Sequence, residues 1–509
     1  MLKYQEYIDK IIAERKLNTA FPKKVIAEAD AIPQSVPQKD IRARRDLRDM
    51  ALVTIDGEDA KDIDDAVSLE MISDTPNSKL QTPSFYRLGV HIADVSHYVK
   101  PRSPLDGEAF KRATSVYFPE YVIPMLPKAL SNGICSLNEG VDRLCMTAFM
   151  DIDMTGDILR YEIVETAIRS KARMTYTSVA AIFNGDKAET EKYREIAPML
   201  LNMKRLMEIL NAKRQKRGAI DFDLPEAKIE LDGGGEVVNL TKADRTDAHK
   251  MIEEFMLIAN EVTALHMFNL KAPFIYRVHE KPSPEKIENL YALAFALGFS
   301  VKGGANNITP KAVQKLVREA SKTQYAGLLN KVALRSMMKA KYTPENLGHF
   351  GLALKNYCHF TAPIRRYPDL VVHRMLKLWL HDSLFTANMR SLKSFVNGAS
   401  EQSSECEVTA EAAERDADDF YKAVYMRRFL GGEYDAVISG VTSFGIFAEL
   451  PNTAEGLIWL ENLPGGQYNF VEKKHLLHNR ENAYRIGDKI RIKVVKCDLD
   501  GRKIEFILT

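Results

Sequence analysis

The spacing of apolar positions changes character along the chain, and the changes mark out the elements to expect. Near the start, Tyr7, Ile8, Ile11 and Ile12 share one helical face, which predicts a helix over residues 1 to about 30. Ile32-Pro33 and Pro37 then break the pattern, so residues 1–41 read as a helical lead-in and linker. From Arg42 to Ile168 the apolar runs are short, as in Leu88 to Val99 and Leu144 to Ile152, and suit strands of a mixed sheet. Helical periodicity dominates from Thr190 to Leu430. Ser283-Pro284 supplies an N-cap and a first-turn proline, Gly298 closes that helix, and Thr309-Pro310 opens the next in the same way. Residues 42–430 are therefore expected to form one large α/β or α+β domain. After Gly431-Gly432 the period falls to two in Tyr434 to Gly440, Gly445 to Leu450, Lys489 to Cys497 and Lys503 to Leu508, with Asp500-Gly501 as a hairpin turn. Residues 431–509 suit a small all-β, five-stranded OB-like barrel.

Composition narrows the choice of partners. The net charge is only +2, so a nucleic acid would have to be held in a local groove and not by a broad positive field. The five cysteines, Cys135, Cys145, Cys358, Cys406 and Cys497, form no CxxC pair, which argues against a disulfide framework or a thiolate zinc site and for the cytoplasm. The longest apolar run, Leu290 to Phe299, is far short of a membrane span, and the start of the chain lacks the pattern of an export signal. A soluble protein with no membrane partner and no obligate protein partner is expected. His91, Asp94, His97, His249 and His279 do not fall at zinc spacing.

The chemistry concentrates between Asp56 and Asp65, where six acids and one base fall within ten residues. Two carboxylates about 4 Å apart repel by roughly 4 kcal/mol at an effective dielectric near 20, so converging several of them calls for cations. Magnesium takes oxygen ligands, and a pair of such ions can stabilise both the attacking and the leaving oxygen of a phosphodiester. On composition alone a solvated acidic loop fits equally well. The flanks favour a site, because Leu52-Val53-Thr54-Ile55 and Ala66-Val67-Ser68-Leu69 read as buried strands. An EF-hand fails, since Lys61 stands where glycine is needed and Val67 where glutamate is needed.

Thr54 to Ala66 resembles the signature of the ribonuclease II/ribonuclease R family, an aspartate, five residues, then Asp-x-Asp-Asp. The resemblance runs along nearly the whole chain, through His91 to Ser96, Ile123 to Pro127, Leu130 to Gly133, Asp247 to Lys250, His349 to Leu352 and Thr361 to Asp369, and is nearest to the ribonuclease R branch. It implies a processive, hydrolytic 3′ to 5′ exoribonuclease that releases nucleoside 5′-monophosphates. Asp56, Asp62, Asp64 and Asp65 would form the site for Mg2+, or Mn2+, and Arg365 would act near the scissile phosphate. A guanidinium suits that task through its planar fork and permanent charge. Arg366 is expected to pair with Asp369 instead. The resemblance further implies that Tyr117 stacks on the terminal nucleotides, with Phe222 as a second aromatic of that clamp, and that Glu414 lies near the exit of the RNA channel. Lys331, Arg335 and Lys339 recur at helical spacing and predict a basic stripe on one helix.

Ser439 to Phe447 followed by Glu455 to Ile458 resembles an S1 RNA-binding domain. Phe444 and Phe447 are its candidate stacking residues, and Trp459 stands where the resemblance leads one to expect histidine. Residues 431–509 carry ten Lys/Arg and eleven Asp/Glu, so their RNA binding should rest on stacking more than on charge. The cold-shock-like modules and basic tail common in the ribonuclease R branch are not recognisable in this sequence. Single-stranded RNA, or structured RNA with a 3′ overhang, is the expected substrate. The alternatives are a catalytically inactive S1-containing RNA-binding protein, which the intact acidic set and Arg365 disfavour, and a phosphorolytic enzyme.

Overall fold

Between Arg45 and Thr175 the short apolar runs assemble into a seven-stranded mixed sheet. Its strands are β1 (Arg45–Asp46), β2 (Val53–Asp56), β3 (Asp65–Ile72), β4 (Phe85–Ala93), β7 (Asp142–Asp153), β8 (Ile158–Arg169) and β9 (Ala172–Thr175), in the order β1-β8-β7-β4-β3-β2-β9. A separate two-stranded hairpin, β5 (Val116–Tyr117) and β6 (Val122–Ile123), stands beside it. The two outer pairs, β1 with β8 and β2 with β9, run parallel, and the others are antiparallel. The computed structural model describes residues 4–72, 84–222, 226–301, 303–323, 325–472 and 475–509.

Three helices, Ala197–Arg217, Asp247–Asn269 and Tyr367–Leu380, join the sheet in the main hydrophobic core, where Met203, Phe255 and Leu370 pack with Val67, Val90 and Met146. The cap signals at Ser283 and Thr309 act as expected: each side chain accepts from the backbone N–H three residues on, and helices Pro284–Ala296 and Pro310–Ala320 follow. A helix of 38 residues, Met389–Met426, then runs for roughly 57 Å at 1.5 Å per residue and leads to the barrel.

The barrel is closed, with strands Glu433–Thr442, Gly445–Glu449, Glu455–Trp459, Lys503–Leu508 and Lys489–Asp498 in that order. Gly456 is needed where it stands, because a Cβ there would lie 2.4 Å from the ring of Phe506. Phe506 is fully buried and fills the barrel interior with Ile438, Ile446 and Val494.

Three local expectations fail for identifiable reasons. The lead-in is two helices, Gln5–Glu14 and Lys23–Asp30; the first stops as Lys16 turns to a φ of 53°, and Pro22 sets up the second. The run from Leu88 to Val99 leaves the sheet at Ala93, where Asp94 caps a one-turn helix with its carboxylate on the His97 N–H. The stripe Lys331, Arg335 and Lys339 is not on one helix, since helix Ala326–Ser336 ends before Lys339. Lys331 pairs with Glu449 of the barrel at 2.9 Å, which makes it part of the packing between the two regions.

Candidate active site

The acidic run is the connection from β2 to β3, so Asp56 ends one strand and Asp65 begins the next. The loop is anchored from below and from the side. Ile63 is buried, its N–H donates to Ser136 Oγ at 3.1 Å, and the Ser136 hydroxyl in turn donates to the Lys61 carbonyl at 2.9 Å. The Ala93 N–H donates to the Asp64 carbonyl at 2.8 Å. Arg173, on β9, donates to the carbonyls of Glu58 at 3.0 Å and Ala60 at 2.6 Å. A single guanidinium nitrogen, Nη2, thus holds the exposed arc between Asp56 and Asp62 at two carbonyls.

Opposite this loop lies Thr361 to Arg366. The buried carboxylate of Asp369 accepts from the Ala362 N–H at 2.8 Å and pairs with Arg366 at 2.7 Å, so Arg366 is structural, as expected. Arg365 is left free to face the acids. Its Nε lies 3.9 Å from Asp64, and the neighbouring Ile364 N–H donates to the same carboxylate at 2.8 Å. The strand bearing Tyr117 is tied to this loop, because the Ser115 N–H donates to the Arg365 carbonyl at 2.9 Å and the Tyr367 N–H to that of Ala113 at 2.8 Å. Glu414, from the long helix, accepts the Tyr117 N–H at 2.8 Å, and the Tyr117 hydroxyl donates to Asp62 at 3.3 Å. Asp56, Asp62, Asp64, Asp65, Tyr117, Arg365 and Glu414 therefore gather in one place.

The electrostatics are those of an undercompensated anionic site. Burial pushes Asp64 well above the ordinary carboxylate range although Arg365 pulls it down. Burial, with the Asp56 charge, lifts Asp65 to about 7, and burial also raises Asp56. The donor set is entirely hard oxygen, and two arginines, Arg365 and Arg173, do not balance four carboxylates; divalent cations of the magnesium type match that set in charge and ligand preference. As they stand, no three acidic, histidine or cysteine side chains among the described residues are close enough to form a ligand cage. Asp62 and Asp64 instead engage Tyr117 and Ile364.

Sequence reading missed two residues here. Tyr176 opens the helix after β9 and stacks on His249 with 4.0 Å between ring centroids and 17° between planes. Burial raises the Tyr176 phenol, and Asp65 and Asp56 raise it further, which places it beside the acids. Asp247-Ala248-His249-Lys250 carried the only signal for this. Arg173 had none. Phe222 is half-buried against the cluster formed by the Pro284–Ala296 region and the barrel. Two rings that clamp a base are separated by it and need not touch, so the pairing of Phe222 with Tyr117 stands as a proposal.

On the barrel, Phe444, Phe447 and Trp459 come together, with centroids 6.2 Å apart for Phe444 and Phe447 and 6.1 Å for Phe444 and Trp459. Phe444 is 47% exposed and Trp459 36%, so the group presents open ring surface.

Residues 44–382 match the model of the RNB domain, and residues 428–508 that of the S1 RNA binding domain. Ribonuclease R of Aquifex aeolicus is 41% identical over 98% of this chain, that of Thermotoga maritima 43% over 96%, and that of Escherichia coli 38% over 98%. The chain spans 70%, 68% and 62% of their respective lengths. Mycoplasma genitalium RNase R in complex with ribose methylated single-stranded RNA superposes with a TM-score of 0.89 at 29% identity, covering 99% of this chain and 77% of that one. Yeast Ssd1, a pseudonuclease, shares the fold at a TM-score of 0.71 and 19% identity. By domain match and by identity over nearly its whole length, the chain belongs to the RNB family of exoribonucleases, in the ribonuclease R branch, and carries an S1 RNA-binding domain.

Proposed function

We propose that the chain removes nucleotides processively from the 3′ end of RNA by hydrolysis and releases nucleoside 5′-monophosphates. The observation that carries this is the meeting of Asp64, Arg365 and the Ile364 N–H, with Tyr117 on Asp62, at one end of the sheet. Two divalent ions, magnesium or manganese, held by Asp56, Asp62, Asp64 and Asp65, would supply Lewis-acid polarisation of the phosphate and a more acidic water. The Ile364 N–H fixes the Asp64 carboxylate. Arg365, permanently charged, stabilises negative charge that grows on the phosphate oxygens. Tyr117, 38% exposed, offers a stacking face for the terminal base, and Glu414 holds its backbone in place. Stacking ignores base identity, which suits unselective degradation.

The RNA substrate, single-stranded or structured with a 3′ overhang, is supported by relatives whose structures are complexes with single-stranded and with double-stranded RNA. Residues 42–430 would do the chemistry, and 431–509 would hold the strand upstream through Phe444, Phe447 and Trp459. We place the protein in the cytoplasm, on its free cysteines. Among the described residues no helix is long and apolar enough to cross a membrane. Digestion of a 5′-labelled oligoribonucleotide with Mg2+, with and without phosphate, tests the reading. The expected result is stepwise 3′ shortening with monophosphate products whether or not phosphate is present. No shortening would overturn the enzymatic reading in favour of an inactive RNA-binding protein, and diphosphates formed only with phosphate would overturn hydrolysis.

A further inference from the structure

Three parts of the chain meet at the first helix, Gln5–Glu14. Its Ile8, Ile11 and Ile12 are buried with Val116, Phe118 and Ile123, the residues that flank Tyr117 in its hairpin. On the long helix, Phe420 receives the ring of Tyr7, stacked at 4.9 Å between centroids with 26° between planes. At its C-terminal end the first helix enters a charged knot with the barrel. Asp416 pairs with Arg15 at 2.7 Å and with Arg502 at 3.0 Å, and Arg502 also pairs with Glu14. Lys10 reaches Asp500 at 3.2 Å. Asp500 and Arg502 form the barrel's last hairpin turn, where Arg502 is held at a φ of 56°. Asp416 lies two residues beyond Glu414, which holds Tyr117.

These contacts differ in weight. Lys10 and Asp500 are exposed, and such a pair contributes little. The side chains of Arg502 and Asp416 are each only 17% exposed and belong to a network of alternating charge, where partners restrain one another. Leu499, beside the same turn, packs against both the barrel cluster and the cluster of the first helix. The barrel is therefore fixed to the hairpin of Tyr117 through the first helix as well as through the chain that leads into it.

We propose that the first helix and the Glu14–Arg502–Asp416–Arg15 knot are positioning elements that hold the S1 barrel at a fixed distance and angle from Tyr117, so that one RNA strand is gripped at both places at once. When two sites engage one strand, the second binds at an effective concentration set by the link between them, and a link that swings freely lowers that concentration. The knot pairs with none of Asp56, Asp62, Asp64 and Asp65 and with none of the aromatic residues of the two grips. Its loss leaves each grip intact and removes the gain from combining them. This rests on the reading of Tyr117 and of Phe444, Phe447 and Trp459 as the two grips.

The test compares Arg502→Glu, which turns attraction to Glu14 and Asp416 into repulsion, with the parent on a short RNA that fills only the catalytic end and on a long RNA that reaches the barrel. The expected result is kcat unchanged on both, KM within twofold on the short RNA, and KM raised about tenfold on the long one. Trp459→Ala should then add little in the Arg502→Glu background although it weakens long-RNA binding in the parent. Glu14→Arg placed in that background should recover part of the loss. Affinities for ribose-methylated strands of the same two lengths, measured without turnover, read the same coupling even if the parent proves inactive, which separates failure of this proposal from failure of the enzymatic reading. A thermal melt checks folding, with Arg502→Gln as the milder variant if Arg502→Glu melts early. Equal weakening on short and long RNA, or no change on either, would overturn the proposal.

Discussion

In the proposed function, the carboxylate end of the sheet and the aromatic face of the barrel would serve one polymer by opposite physical means. At the sheet, charge is buried: Asp64 is nearly inaccessible and held far above its ordinary range, and two arginines, Arg365 and Arg173, stand against four acids. At the barrel the rings of Phe444 and Trp459 are open to solvent, and the surrounding charges nearly cancel. Desolvated charge is poor at collecting a polyanion but strong at stabilising a reaction, because electrostatic interactions gain strength as water is excluded. Exposed rings catalyse nothing, yet each stacked base adds about 1 to 3 kcal/mol whatever its identity. Under that proposal, the contrast accounts for how a protein of net charge +2 would act on RNA.

Changes at the two ends should therefore give separable defects. The largest is expected from Asp64→Asn, a near-isostere that keeps an acceptor for the Ile364 N–H but removes the charge. Single-turnover cleavage should fall by roughly 10³-fold, the upper range for loss of one electrostatic group, while a thermal melt stays level or rises, because a buried, repelled charge is gone. Arg365→Ala comes next, with cleavage down about 10²-fold, and Arg365→Lys should recover only part of it because lysine lacks the planar fork. A loss confined to KM would move Arg365 from the chemistry to strand binding. The smallest is Trp459→Ala, which should weaken affinity by about 1 kcal/mol with an unchanged slope against salt, since no phosphate contact is lost. A shallower salt slope would mean that the barrel binds through charge after all.

What the sequence revealed follows the same division. Local patterns were readable: the acids between two apolar runs, the caps at Ser283 and Thr309, and the alternating strands of the barrel. Arg366 could be assigned to Asp369 because the partner lies three residues away. Contacts across the chain could not be read, since periodicity carries no information about them. The Ile364 N–H and Asp64 are 300 residues apart, and the pinning of the acidic loop by Arg173 depends on β9 lying parallel to β2. The long helix hid its role for a related reason, because Glu414 and Asp416 look like an ordinary acidic face until Tyr117, Arg15 and Arg502 are folded onto them. The expectations at residues 1 to 30 and at Lys339 failed where a periodic pattern continued past a backbone turn.

The most direct test of the division is to measure affinity and single-turnover cleavage on one long RNA strand for the parent, Asp64→Asn and Trp459→Ala in parallel. Asp64→Asn should keep the parent's affinity and lose nearly all cleavage, whereas Trp459→Ala should lose affinity and, at saturating protein, cleave at the parent's rate. Cleavage by Asp64→Asn within a few-fold of the parent, or a large loss of its RNA affinity, would contradict the division.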